Sequence, residues 1–181
     1  ETYPGVTLFL GFFTLDPGHT ETVLQLLATA RYRACFFATA EDALENADLL
    51  RRVVAGGHTL GIWLKEGTFE EYEEAASLIL EAVKIRPLII SSEPGATDAS
   101  AAMARERRLI YWSPTRRYTK DFTVNGFTNQ LATRTGARES LFFACSEKTV
   151  SNLGSILSYL RDRAYSVRRI TETSAPTVSL G

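Results

Sequence analysis

Few side chains in this chain are suited to chemistry: among 181 residues there are two His and two Cys. Asp16 and His19 follow the first apolar run and Glu66 follows the third, so three oxygen or nitrogen ligands for a divalent cation could meet at one end of a sheet. Their spacing is not diagnostic, because Asp and His beside a Pro-Gly are also ordinary turn residues. His58 follows Gly56-Gly57 at the start of a strand, at the opposite end from those loops, and reads as a packing residue. Cys35 and Cys145 each lie inside an apolar run, as buried reduced thiols do. A nucleophilic role for Cys145 would need a base, and no His is placed beside it. Phe12, Phe13, Trp63 and Trp112 are expected at neighbouring strand ends, either as core filling or as the floor of a binding pocket.

The elements that position these residues follow an alternating rhythm. A strand over 6–13 leads into a helix over about 21–31, where Val23, Leu26, Leu27 and Ala30 recur at i, i+3, i+4 and i+7. A strand over 34–38, a helix over 44–55 stopped by Gly56-Gly57, and a strand over Thr59–Leu64 repeat the unit. Thr68 and Glu71 have capping-box spacing ahead of a helix whose inner stripe is Tyr72, Ala75, Ala76, Ile79, Leu80 and Val83. Strands over 88–91, 109–113, 140–145 and 166–170 continue the pattern. Between them come a helix over about 97–107, a polar loop to Asn125-Gly126, a short helix near 127–135, and a last helix marked by Val150, Leu153, Ile156, Leu157 and Leu160. Wholly apolar strands alternating with single helices indicate a parallel sheet covered by helices. Periodicity does not separate an open doubly wound sheet from a closed barrel, and either sets functional residues at the C-terminal strand ends.

Composition narrows the partners. Hydrophobic residues at 45% and charged residues at 23% describe a globular chain of roughly one domain rather than a disordered one. The net charge of -1 gives no general electrostatic case for nucleic acid or an anionic membrane. The halves differ: residues 1–90 carry 7 basic and 13 acidic side chains, and residues 91–181 carry 13 and 8, which makes the chain dipolar. Arg105, Arg107, Arg108, Arg116, Arg117 and Lys120 could form a basic face for an acidic glycan or a partner protein, or a solvated surface. No stretch of 18 apolar residues would span a bilayer. The chain opens at Glu1 with no signal-peptide pattern, and an export segment removed ahead of it is compatible with that start.

From residue 6 to about 171 the sequence resembles a NodB-type polysaccharide deacetylase domain. Residues 22–61, with "ACFF" and "GGHTLG", are similar to that family's helix, Ala-Thr-Phe-Phe strand and Gly-His-Glu-Ile-Gly turn. "IYWS" at 110–113 resembles its Trp-Ser strand, and residues 140–172 resemble its closing unit. The resemblance implies a distorted (β/α)7 barrel as a single domain over 1–172, with a frayed tail over 173–181. It also implies the family's reaction, hydrolysis of acetyl groups on chitin-like and peptidoglycan sugars by a divalent metal held by one Asp and two His, with a second Asp as base and a late His as acid. The matching positions here carry none of these groups. Gly11 and Phe12 stand in the Asp-Asp motif, Trp63 and Gly67 at the two His ligands, and Ser91 in the Arg-Pro-Pro segment. Thr115 stands at the Asp after Trp-Ser, and Cys145 at the late His. The expectation is therefore a pseudoenzyme with no catalytic residue, metal or cofactor. It would be extracellular or on the cell surface, and would engage a glycan through Trp63, Phe12 and Trp112 or dock a protein partner. The alternative is an active metal-dependent hydrolase rebuilt on Asp16, His19 and Glu66.

Overall fold

The computed structural model describes residues 5–119, 121–133 and 137–176. Among them, eight strands are β1 (Thr7–Leu15), β2 (Cys35–Ala38), β3 (Thr59–Leu64), β4 (Ile89–Ser92), β5 (Ile110–Tyr111), β6 (Arg116–Tyr118), β7 (Arg138–Cys145) and β8 (Ser166–Arg168). The α-helices between them are α1 (Pro17–Ala30), α2 (Ala40–Glu45), α3 (Ala47–Ala55), α4 (Phe69–Val83), α5 (Thr97–Arg107), α6 (Val124–Ala132) and α7 (Glu147–Asp162). The strands pair in parallel in the order β5-β4-β3-β2-β1-β7-β6, and β8 also pairs with β1. The edge strands β5 and β6 are consecutive in the chain, so the short link between them draws the two ends of the sheet together. Arg117 Nη2 reaches across this seam to donate to Ser92 O at 3.2 Å. The result is the curled, distorted barrel expected from the resemblance, not an open doubly wound sheet.

β1 (TLFLGFFTL) is apolar on both faces because both are covered. Leu8, Leu10 and Phe12 pack toward the helices. Phe9 and Phe13 point into the barrel interior with Phe37, Trp63, Trp112 and Phe142. Fully burying a side chain of this size contributes about 1.5–3 kcal/mol, so these two layers dominate the stability. Gly11 lies between Phe9 and Phe13, and a Cβ there would stand 2.6 Å from the Phe142 ring. Glycine is what lets that ring cross the interior.

Three elements differ from the sequence expectation. α1 begins at Pro17 because the Asp16 carboxylate accepts from the His19 N–H at 3.2 Å, so the Asp-Pro-Gly read as a turn is a helix start. The helix expected over 44–55 is two helices broken at Asn46, with Thr39 and Asp42 forming a capping box for the first. β6 lies inside the stretch expected to be loop. Lys120, residues 134–135 of the expected short helix and residues 177–181 of the expected tail lie outside the described residues.

Candidate functional site

At the C-terminal strand ends the barrel is filled by rings. Phe13 and Trp63 stack with centroids 4.4 Å apart and planes 5° from parallel. Trp63 is 3% exposed, and its Nε1–H donates to Glu93 Oε2 at 2.8 Å. Trp112 is fully buried 5.2 Å from Phe9, and its carbonyl accepts from the Ser91 hydroxyl at 2.7 Å. The Trp112 Nε1–H has no hydrogen-bond partner. The grouping of Trp63, Phe12 and Trp112 as a glycan pocket is corrected on two counts. Phe12 faces the other way, packed between Phe36 at 5.1 Å and Phe143 at 5.6 Å. All three rings are buried, so none offers a face on which a sugar could stack.

The other family positions are occupied by groups with structural tasks. Gly67 has φ +85°, and a Cβ there would stand 2.7 Å from Ser100 Oγ, so a ligating side chain does not fit. Thr115 is fastened to β7: its N–H donates to Ser140 O at 2.8 Å and its Oγ1 accepts from Ser140 N at 3.0 Å. Cys145 lies on the helix side rather than in the interior, and burial pushes its thiol up to about 12 against a weaker lowering by a Thr20 hydrogen bond. It is a protonated packing group, not a nucleophile.

The rebuilt metal site does not assemble. Asp16 and His19 do meet, with Oδ2 and Nδ1 3.0 Å apart, but in a helix cap one turn long. Glu66 stays exposed on the loop after β3. Among the described residues no group of three His, Cys, Asp or Glu side chains could hold a metal ion. The donor set at the family positions, Gly11, Phe12, Trp63 and Gly67, does not fit a cation.

Two carboxylates have tasks that sequence reasoning did not assign. Glu93 anchors Trp63 and lies near Arg117, whose burial in turn depresses its own pKa. The Glu71 carboxylate accepts from the backbone N–H groups of Lys65, Glu66 and Gly67 at 2.6, 3.0 and 3.0 Å. The Thr68-x-x-Glu71 spacing announced a capping box, but only the Thr68 half forms, and Glu71 fixes the preceding loop instead. Three members of the basic face have partners of their own: Arg116 faces Glu139, Arg117 crosses the seam, and Arg107 lies 3.9 Å over the Phe69 ring.

No protein-family model matches the chain, and no curated protein matches it in sequence. Solved structures do match in fold. The polysaccharide deacetylase Bc1974 from Bacillus cereus superposes with a TM-score of 0.81 at 21% identity, over 97% of this chain and 97% of that one. The catalytic domain of peptidoglycan N-acetylglucosamine deacetylase from Eubacterium rectale gives 0.79 at 16% identity, over 99% and 96%. A mutant of BA3943 from Bacillus anthracis, a CE4 family pseudoenzyme with restored enzymatic activity, gives 0.78 at 15%, over 95% and 69%. The chain has the fold of the CE4, NodB-type polysaccharide deacetylases.

Proposed function

We propose that this chain is a non-catalytic member of the deacetylase fold, a pseudoenzyme that works beside cell-wall or extracellular carbohydrate as a structural or docking domain. Active deacetylases and a pseudoenzyme share the fold, so the fold alone does not choose between them. The observation that carries the reading is the Phe13–Trp63 stack, which fills the strand ends where the resemblance places metal and water. Gly67, with no room for a ligand, supports it. Both Trp side chains are buried, so any carbohydrate contact lies outside the strand-end aromatics.

The test is acetate release from chitin oligomers and from peptidoglycan, measured with zinc, cobalt or manganese added. No release above the protein-free control is expected, and soluble fragments of either polymer leave Trp fluorescence unchanged. Turnover lost in Asp16→Ala or His19→Ala would overturn the reading. Trp63→Ala is expected to lower stability by about 3–5 kcal/mol in urea unfolding, as removal of a buried ring does.

A further inference from the structure

A cavity lies at the other end of the barrel. It has a volume of about 900 Å³ and is lined by α1, the segment between α1 and β2, the end of α3 with the turn before β3, and β8 with the residue after it. That size suits a small organic molecule rather than a bare ion. Arg33, His58 and Arg169 on its polar wall gather around the turn before β3. Gly57 has φ +86°, and a Cβ there would stand 2.7 Å from Arg33 Nε, so the guanidinium lies against the bare glycine. Arg169 Nη1 donates to Gly57 O at 3.1 Å. Two cations 136 residues apart in sequence are thus drawn to one peptide unit. Among the described residues no carboxylate lies within ion-pair distance of Arg33 or Arg169, whereas Arg52 on the same wall is paired with Glu21 at 2.5 Å.

His58 completes the set as a donor. Its Nδ1 accepts from the Ala34 N–H at 3.1 Å, which places the proton of the neutral ring on Nε2. Burial, with Arg33 and Arg169 nearby, lowers its pKa to about 4, so the ring is neutral at pH 7. Leu24, Tyr32 and Val167 supply apolar wall beside these donors.

We propose that this cavity binds a phosphate-class oxyanion carried on a small organic body, with the oxyanion seated between Arg33, Arg169 and His58. Two unpaired guanidinium groups match the charge of a phosphomonoester, about -1.5 to -2 at pH 7. Donors converging from three segments suit an oxyanion with three terminal oxygens better than a carboxylate with two. The apolar wall takes the organic body. The site lies at the opposite end of the barrel from Trp63, so it stands whether or not the strand-end site is silent.

The test is titration of the full chain with phenyl phosphate, followed by calorimetry and by the Gly57 amide and His58 ring resonances. Inorganic phosphate and phenol serve as separate arms at matched ionic strength. Saturable binding of phenyl phosphate that moves both resonances is expected, with inorganic phosphate weaker and phenol not binding. Arg33→Gln and Arg169→Gln each weaken it by about tenfold or more, the loss of a charge-assisted hydrogen bond. Both residues are exposed, and unchanged thermal unfolding shows that the variants fold. Arg107→Gln, with the same charge change elsewhere, leaves binding within about twofold. Equal affinity for inorganic phosphate would overturn the organic body and identify free phosphate as the ligand. Phenol binding as tightly as phenyl phosphate, no saturation, or an equal loss in Arg107→Gln would overturn the site.

Discussion

His58 is the residue whose titration this fold alters most usefully. Its pKa falls from 6.5 to about 4, first through burial and then through Arg33 and Arg169. Between those values the unfolded chain binds a proton that the folded chain refuses, so folding stability falls as pH drops from 6.5 toward 4 and is fully present above 6.5. The linkage is worth on the order of 3 kcal/mol. Urea unfolding from pH 7.5 to 4.5 should show this slope, and His58→Gln should flatten it; an unchanged slope would show that carboxylates alone carry the dependence. The two thiols give a second prediction at this scale. Cys35 and Cys145 are buried and free, and burial raises both pKa values. Ellman's reagent at pH 8 should therefore find almost no thiol in the native protein and both after denaturation in guanidinium. Rapid native labelling of Cys145 would mean that β7 opens readily.

Among the elements, the loop between β3 and α4 depends on one carboxylate. Glu71 closes three backbone donors that no strand or helix satisfies, so Glu71→Ala should cost about 1–3 kcal/mol, against a few tenths for Glu74→Ala on the exposed face of the same helix. Thermal unfolding of the pair separates them. The same loop shows what a sequence can and cannot say. β3 was legible to the residue because an apolar run ends at charged residues, and α4 because its stripe keeps the helical period. β6 was not, since Arg-Arg-Tyr has no strand pattern and becomes a strand only by lying against Leu141, Phe142 and Phe143 of β7. The side on which Phe12 falls was not legible either. In a strand buried on both faces, alternation carries no signal about which parity faces inward. That Gly11, Trp63 and Gly67 carry no metal-ligating group was readable from residue type, but the Phe13–Trp63 stack needed the register. Arg33 and Arg169 met only through the placement of β8 beside β1.

For the whole molecule, the governing feature is the position of β1 at the centre of the sheet. β7 pairs along its full length, and on the other edge β2 takes residues 11–12 while β8 takes residues 7–9. Parallel pairs between such distant segments close long loops and fold slowly. The order of synthesis adds a further consequence. When synthesis has passed β4, β1 to β4 can already associate, but the β7 edge of β1 still waits for a strand roughly forty residues further on. A nine-residue apolar edge left open for that interval, at roughly 5–20 residues per second, invites pairing with another nascent chain. The chain therefore completes its central strand only once Arg138–Cys145 has been made, and truncation before Arg138 should leave a product that needs a chaperone to stay in solution.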